Sequence, residues 1–251
     1  MPGWIEGTVV EKKFWNPHLL TLSLEVEPLD FTPGQFVRIA LPVTSEQERP
    51  VFRAYSLVNS PNSNILEFVI AVVPDGEVTP QLAALEVGAQ LIVAQPVGGF
   101  FTLNDVPQAK SLWMMSTGTG LGPYLSMLSS EAPWQNFEKV VLVHAVRTQQ
   151  DLCYAEKISG WKQQYPEQFV FQPVVSREAI SGALQGRIPG LIESGALEQQ
   201  TQVQLDQSAQ IMLCGNPHMI KDTRETLEQR GLTLNTRRKP GNVTIEQYWK
   251  G

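Results

Sequence analysis

The sequence predicts two domains, an antiparallel β-barrel over residues 1–104 and an α/β domain with a doubly wound parallel sheet over residues 105–251. The length of 251 residues favours two domains of ordinary size over one large domain. Short β-rich runs fill the first part of the chain, whereas apolar strands alternate with helix-length segments after Pro107. Because this rhythm changes between Leu103 and Lys110, we place the domain boundary there.

The first domain is predicted from its strands and the turns between them. Apolar and β-branched runs predict strands at residues 19–26, 35–41, 66–73 and 90–94. Glycine, proline and asparagine mark turns at residues 33–34, 59–63, 74–76 and 98–99. Several short strands punctuated in this way are typical of a closed barrel or a sandwich, and we favour the barrel.

The second domain repeats a strand, a turn and a helix-length segment. Continuous apolar runs predict strands at residues 111–116, 140–146, 169–175 and 210–214. Such runs are typical of parallel strands that are buried on both faces. Strands that alternate with helices therefore predict a doubly wound parallel sheet.

The composition excludes several classes of protein. Hydrophobic residues make up 42% of the chain and charged residues 18%, and no apolar stretch is long enough to cross a bilayer. A net charge of −6 argues against general nucleic-acid binding, which depends on cations that neutralise phosphates. The chain starts without a secretion signal and has two cysteines, so we expect a cytoplasmic protein. No metal site is predicted, since His18, His144 and His218 lack metal-ligand spacing.

A glycine-rich turn follows the first strand of the second domain. Gly118, Gly120 and Gly122 precede Pro123, which suits the first turn of a helix because its missing N–H is not needed there. Unpaired N–H groups at a helix start attract a diphosphate, and glycines let it approach the backbone. The spacing Gly-x-Gly-x-Gly departs from the usual dinucleotide fingerprint. By itself, the motif fits phosphate binding and a merely tight strand-to-helix turn equally well.

Arginines and hydroxyl residues follow the predicted strands of the second domain, at Arg147, Thr148, Ser176, Arg177 and Arg187. In dinucleotide sites, an arginine beyond the glycines binds a 2′-phosphate, whereas an acidic residue binds an unphosphorylated ribose. The sequence therefore favours NADP over NAD. The alternative for each arginine is a solvated strand end.

One short segment among the β-rich runs, Arg53 to Ser56, combines a guanidinium, a flat aromatic ring and a hydroxyl. An arginine fork suits phosphate oxygens, and Tyr55 offers an apolar face with a polar tip. Taken alone, Tyr55 is more typical of a core aromatic in a barrel strand. Together with the glycine turn, the segment indicates two nucleotides and hence electron transfer between a flavin and a nicotinamide.

These motifs together resemble those of the bacterial ferredoxin/flavodoxin–NADP reductases. The matching segments extend over nearly the whole chain and include residues 53–56, 116–123, 213–217 and 248–249. The resemblance implies that the first domain binds FAD and the second binds NADP(H). It also implies a reversible reaction in which NADPH passes a hydride to FAD and single electrons then leave for a ferredoxin or flavodoxin.

The resemblance assigns roles in the flavin site. Arg53 would pair with the FAD diphosphate, Tyr55 would lie against the isoalloxazine ring, and Ser56 would form a hydrogen bond near its reactive nitrogen. Tyr248 would cover the opposite face of the ring, and Trp249 would pack against the adenine. The remaining flavin contacts would be Ala54, Val69, Ile70, Ala71, Glu77, Val78 and Thr79.

The resemblance likewise assigns roles in the NADP site. Cys214, Gly215 and Asn216 would lie beside the nicotinamide, where Cys214 would position the ring or tune hydride transfer. Thr119 would lie where the two cofactors meet. The catalytic residues would be Tyr55, Ser56, Cys214 and Tyr248. Glu246 would relay a proton or hold the cysteine, but a carboxylate near a terminus is more often solvated.

Small electron carriers of this kind are typically acidic, so an acidic reductase needs a cationic docking face. The candidates are Arg224, Arg230, Arg237, Arg238 and Lys239, which would otherwise form an ordinary solvated surface. We expect a monomer that binds neither nucleic acid nor membrane. Two alternatives are a flavin-dependent reductase for an oxygenase partner or free flavin, and a flavin-binding interaction module that has lost turnover.

Overall fold

The structure is a computed structural model, and it describes residues 3–42 and 50–247. Contacts between residues divide the chain into two units. The first unit runs to Thr102 and includes Gly122–Ser130, and the second consists of Leu103–Leu121 and the chain from Glu131 onwards. The domain boundary between residues 104 and 105 stays a prediction.

Within the described residues, the first unit contains six strands and a short helix before Thr102. These are β1 (Trp4–Asn16), β2 (Leu19–Val26), β3 (Phe36–Ala40), β4 (Arg53–Ser56), β5 (Ile65–Ala71), helix α1 (Thr79–Ala84) and β6 (Gln90–Gly98). The strand order is β4-β3-β6-β1-β2-β5, and every pair is antiparallel. Just after β4, the N–H of Val58 donates to the carbonyl oxygen of Glu67 in β5 at 3.0 Å. This hydrogen bond links the two edges of the sheet and closes it into a barrel.

The barrel interior is filled by alternate side chains of its strands. Leu20, Leu22 and Leu24 of β2 have no exposed surface, because residues two apart along a strand point to the same face. Full burial of one such side chain stabilises the fold by roughly 1.5–3 kcal/mol. The alternation of the apolar residues thus specifies which face of β2 turns inward.

The second unit is built on a parallel sheet. Its strands are β7 (Ser111–Thr117), β8 (Lys139–Val146), β9 (Phe169–Val175), β10 (Leu184–Gln185), β11 (Ala209–Gly215) and β12 (Val243–Gln247). The order is β10-β9-β8-β7-β11-β12, with every pair parallel, so the direction of winding reverses between β7 and β11. In sheets of this kind, ligands bind beyond the carboxyl ends of the strands at such a reversal. The connecting helices are α3 (Ala132–Asn136), α4 (Ala155–Gln164), α5 (Ile188–Glu193), α6 (Ala196–Thr201) and α7 (Pro217–Gln229).

Helix α2 (Gly122–Leu128) follows the glycine turn but has its contacts in the first unit. All seven of its residues are buried. Ser126 Oγ donates to the carbonyl oxygen of Asn59 at 2.7 Å, and the ring of Tyr124 lies 5.8 Å from that of Phe101. The helix therefore completes the packing of the barrel unit.

The predicted fold class is confirmed, with an antiparallel barrel followed by a doubly wound parallel sheet. The bounds of β2 and β9 agree with the predicted strands to the residue. None of the helices within the described residues has the length and apolarity that a membrane crossing requires.

Candidate functional site

Two segments of the barrel unit come together at Arg53. This residue opens β4, and its Nη2 lies 2.8 Å from Oε2 of Glu77, in the turn before α1. The ion pair thus joins two segments for which flavin contacts are predicted. Both side chains are about half exposed, at 47% and 58%, so the pair contributes at most about 1 kcal/mol. The Arg53 guanidinium is therefore available to a stronger anionic partner such as a phosphate.

Tyr55 lies two residues along β4, opposite Val37 of β3. Its ring is 6.2 Å from that of Phe68 and is tilted by 60°. Burial raises the pKa of Tyr55 to about 12, although the charge of Arg53 acts in the opposite direction. The phenol of Tyr55 therefore stays protonated over the working pH range, so its flat ring carries an O–H donor at its tip. Ser56, the next residue, is buried opposite Phe36.

The other predicted flavin contacts lie on β5 and at the start of α1. Val69 and Ile70 are buried in β5, and Ala71 at its end is exposed. Thr79 begins α1, and its hydroxyl oxygen accepts the N–H of Val73 at 2.9 Å. This hydrogen bond holds the end of β5 close to the turn that carries residues 77–79.

In the second unit, the glycines of the turn differ in their surroundings. Gly118 is exposed, has φ of +53°, and has no described atom within 4 Å of the place where a Cβ would stand. A Cβ on Gly120 would lie 2.5 Å from the carbonyl oxygen of Cys214, so only glycine fits there. The tight-turn interpretation accounts for Gly120, whereas Gly118 has the open approach that a phosphate requires. Helix α2 begins beyond both, at Gly122.

The loop after β11 packs directly on this turn. Gly215 has φ of +127°, and a Cβ there would lie 2.3 Å from Oγ1 of Thr117. That same oxygen accepts the N–H of Asn216 at 2.9 Å. Asn216 in turn caps α7, because its Oδ1 accepts the N–H of His218 at 2.9 Å. The predicted residues 118–120 and 214–216 are therefore neighbours at the reversal of strand order.

Three arginines share the carboxyl edge of this sheet. The N–H of Arg177 donates to the carbonyl oxygen of Arg147 at 3.0 Å, which joins the ends of β9 and β8. Gly186, next to Arg187, donates its N–H to the carbonyl oxygen of Val175 at 3.2 Å. All three arginine side chains are exposed. Arginines that follow neighbouring strands along one edge suit a phosphate ester better than an uncharged ribose.

The hydroxyl groups at the same strand ends have partners within the protein. Thr148 Oγ1 donates to Oδ2 of Asp151 at 3.0 Å, and Ser176 Oγ donates to the carbonyl oxygen of Val146 at 3.3 Å. Each hydroxyl oxygen can still accept a hydrogen bond, since a hydroxyl has two acceptor positions.

Glu246 differs from the solvated carboxylate that is the commoner case near a terminus. It lies on β12 directly beside Cys214, and its Oε2 is buried without a hydrogen-bond partner among the described residues. Burial raises the pKa of Glu246 to about 7. The apolar spacing of Val243 and Ile245 is the sequence signal that could have identified this strand.

His144 is a second residue whose place the sequence does not reveal. It is fully buried in β8, and its Nε2 lies 3.0 Å from the carbonyl oxygen of Gly118. Cys153, by contrast, is an inert thiol, because burial raises its pKa to about 12. Tyr248 and Trp249, for which flavin contacts are predicted, lie outside the described residues.

The candidate docking cations fall into two groups. Arg224 pairs with Glu228 at 3.2 Å, and Arg230 pairs with Glu198 at 2.5 Å. The second group occupies a turn in which Thr236 and Lys239 exchange backbone hydrogen bonds. Its exposed cations are Arg237, Arg238 and Lys239.

Comparison with known proteins gives matches over both units. A model of the oxidoreductase FAD-binding domain family matches residues 8–101, and one of the oxidoreductase NAD-binding domain family matches residues 114–225. The flavodoxin/ferredoxin–NADP reductase of Escherichia coli (strain K12) is 43% identical over 251 residues, which cover 99% of this chain and 100% of the relative. The ferredoxin–NADP reductase of Pseudomonas aeruginosa is 34% identical over 250 residues and 95% of each chain.

Among solved structures, the chain is similar to a ferredoxin NADP+ reductase from Neisseria gonorrhoeae that was crystallised with bound FAD and NADP. The TM-score is 0.92 at 30% identity, and the match covers 98% of this chain and 99% of the other. At this level of similarity the two chains share one fold throughout.

Proposed function

The chain belongs to the family of the ferredoxin/flavodoxin–NADP reductases, and from this premise we propose which of its residues carry the reaction. It is a flavoenzyme that transfers electrons between NADPH and a ferredoxin or flavodoxin by way of FAD. One observation carries the assignment of residues: the glycine turn and the Cys214 loop meet at the reversal of strand order, with three exposed arginines along the same sheet edge.

In the barrel unit, the residues present fit FAD. The Arg53 guanidinium would bind the diphosphate together with backbone N–H groups of residues 77–79, and Tyr55 would offer its ring to the isoalloxazine. Ser56 would donate its hydroxyl near the reactive nitrogen. The half-exposed ion pair of Arg53 and Glu77 supports this assignment, because its loss on phosphate binding costs little. Ala54 and residues 69–71 would line the same site.

In the sheet unit, the residues present fit NADP(H). Gly118 and Thr119 would receive the diphosphate, and Gly120 lets the turn lie against the Cys214 loop. Arg147, Arg177 and Arg187 would hold the 2′-phosphate, and the hydroxyl oxygens of Thr148 and Ser176 would accept hydrogen bonds from the ribose hydroxyls.

Bound FAD supplies the chemistry that couples two-electron transfer to one-electron transfer. Cys214, Gly215 and Asn216 would orient the nicotinamide. Glu246, with a pKa of about 7, can hold or release a proton at its carboxyl oxygen near neutral pH. Tyr248 and Trp249 keep the roles that the resemblance gives them, as a cover for the flavin ring and a support for the adenine.

Of the five candidate docking cations, we propose that Arg237, Arg238 and Lys239, which share one turn, form the docking face for the carrier. Arg224 and Arg230 each form an ion pair with a glutamate, whereas Arg238 and Lys239 of the turn are exposed to solvent. The net charge of −6 makes such a local cationic face necessary for attraction of an acidic carrier. We further propose that the protein acts as a cytoplasmic monomer, away from membranes and nucleic acids.

The first test of the assignment is direct reduction of the bound flavin. NADPH added to the purified holoprotein without oxygen should bleach the flavin absorbance, and added ferredoxin or flavodoxin should restore it. A protein that stays colourless and cannot be reconstituted with FAD, or whose flavin NADPH does not bleach, would contradict the proposed function.

The second test concerns the 2′-phosphate. Replacement of Arg177 by alanine should raise the KM for NADPH by about 10- to 100-fold, since a charge-assisted contact of about 1.5–3 kcal/mol is lost. The KM for NADH should change little. Steady-state kinetics of both donors measure this, with Lys162→Ala, an exposed cation on α4, as the control. Equal losses for the two donors would show that Arg177 does not recognise the 2′-phosphate.

A further inference from the structure

A buried imidazole lies behind the glycine turn. His144 has no exposed surface, and its Nε2 is 3.0 Å from the carbonyl oxygen of Gly118. Because a carbonyl oxygen only accepts hydrogen bonds, Nε2 must carry the proton. In the neutral ring, Nδ1 is then unprotonated.

Burial of the other ring nitrogen, Nδ1, makes a histidine at this position unfavourable for folding. Nδ1 is buried and has no hydrogen-bond partner within residues 3–42 and 50–247. An apolar residue, such as the neighbouring Val143 of the same strand, would avoid the desolvation of this nitrogen. The contact to Gly118 is the hydrogen bond that the structure gives the ring, so the imidazole is explained by what it does for the turn.

The neutral form of His144 persists over the range in which the enzyme works. Burial lowers the pKa of His144 to about 4, although the hydrogen bond to Gly118 and the charge of Asp151 act in the opposite direction. The donor at Nε2 is therefore present throughout the neutral and alkaline range. No other state of the ring competes with this hydrogen bond there.

The geometry of the peptide bond extends the effect of His144 to the surface. Gly118 is exposed, has φ of +53°, and has no described side chain packed where its Cβ would stand. The carbonyl of Gly118 and the N–H of Thr119 belong to one planar, trans peptide, so they point in opposite directions. A carbonyl that is drawn inward by His144 therefore turns the N–H of Thr119 away from β8.

From this arrangement we infer that His144 is a positioning residue for the dinucleotide diphosphate. Its Nε2 fixes the plane of the peptide between Gly118 and Thr119, and that plane aims the Thr119 N–H toward the phosphate oxygens. The inference rests on the proposed function, in which Gly118 and Thr119 receive the diphosphate. His144 itself does not contact the nucleotide.

The test compares two ligands that contact different parts of the proposed NADP site. NADP+ would use both the glycine turn and the arginines, whereas adenosine 2′-monophosphate has no diphosphate and would use the arginines alone. Titration calorimetry of each ligand with the holoenzyme then separates damage to the turn from damage to the sheet edge. Wild-type protein that binds neither ligand would overturn the proposed function, and this inference with it.

Two polar variants differ in reach and keep the comparison matched. His144→Gln places an amide N–H about as far from the backbone as Nε2, and His144→Asn is too short by one methylene to reach Gly118. We expect Asn to weaken NADP+ binding about fivefold, the scale of one neutral hydrogen bond, and to leave adenosine 2′-monophosphate binding unchanged. Gln should restore most of the affinity. In kinetics, Asn should raise the KM for NADPH with kcat nearly constant.

Two results would overturn the inference. One is NADP+ affinity in His144→Asn that equals that of the wild type. The other is an equal loss for both ligands that His144→Gln fails to restore, which would assign His144 to the stability of the sheet alone.

Discussion

At the scale of single residues, Glu246 keeps a carboxyl group where burial disfavours its charge. Its pKa is raised from 4.5 to about 7. Because the folded state holds the proton more tightly than the unfolded chain, this residue lowers stability as pH rises from the unfolded value through the folded one. A neutral side chain would be more stable at this position above neutral pH.

Replacement of Glu246 by glutamine should remove this pH dependence. The difference in Tm between E246Q and the wild type should grow in favour of the variant by roughly 5–10 °C between about pH 5 and about pH 8. Thermal unfolding of the holoprotein at both values measures it. Glu86→Gln, an exposed carboxylate after α1, serves as the control and should give parallel curves. A difference that stays constant with pH would mean that Glu246 is charged throughout.

In the sheet unit, the candidate arginines that the sequence reveals lie at strand ends. Arg147 and Arg177 follow apolar runs, so their shared edge can be deduced from the parallel topology alone. His144 and Glu246 lie inside strands, and their surroundings depend on lateral neighbours in the sheet. A single sequence does not specify which strand lies beside which, and the chemistry of these two residues therefore emerges only with the sheet.

At the scale of elements, the turn between β7 and α2 contains two glycines that are required for different physical reasons. Gly120 is required by backbone atoms of the Cys214 loop, which cannot move without disturbing β11. Gly118 is required by its left-handed conformation, although the space around it is open. Steric exclusion costs more than conformational preference, since an alanine can adopt a positive φ at a cost of about 1–2 kcal/mol.

Alanine substitutions at three glycines should separate these effects. G120A should lower stability by about 3 kcal/mol through overpacking, and G118A by about 1 kcal/mol. G160A, at an exposed position inside α4 with no described atom near its Cβ, should raise stability by up to about 1 kcal/mol. Urea unfolding of the holoproteins gives the order. If G118A were as damaging as G120A, packing would not be the reason for Gly120.

Two of the strands that periodicity did not predict, β1 and β10, have broken or short patterns. In β1, register shifts between Val9 and Glu11 and between Phe14 and Asn16 interrupt the alternation of buried and exposed residues. β10 consists of only two residues, Leu184 and Gln185. Such elements form because the neighbouring strand offers backbone hydrogen-bond partners. The local sequence pattern does not show that these partners exist.

At the scale of the whole molecule, the local charge of one surface turn is opposite in sign to the net charge of the chain. The chain carries −6 overall, yet the turn of Arg237, Arg238 and Lys239 presents adjacent cations to solvent. On the proposed docking face, an acidic carrier would be repelled by the net negative charge of the protein and attracted by this turn, so the attraction would also orient the encounter. Such orientation is sensitive to ionic strength because surface charges are screened within about 8–10 Å at moderate salt.

Reversal of one of these charges should weaken carrier reduction selectively. Arg238→Glu should lower kcat/KM for ferredoxin or flavodoxin about tenfold at low salt and flatten its salt dependence. Reduction of a small neutral quinone should stay at the wild-type rate. Stopped-flow measurements across a salt series, with Lys162→Glu as a control of equal charge change, decide the point. Equal effects of the two substitutions would attribute the loss to net charge and not to this turn.

Helix α2 restricts how the gene of this protein can be recombined. A fragment cut after Thr102 would lack Gly122–Ser130, and the barrel surfaces beside Phe101 and Asn59 would be left bare. A chimaera that took its whole second half from a relative would graft a foreign α2 against the host barrel. An exchange of the second unit between relatives would therefore have to keep the host's own Gly122–Ser130. The segment to be exchanged is thus discontinuous along the chain.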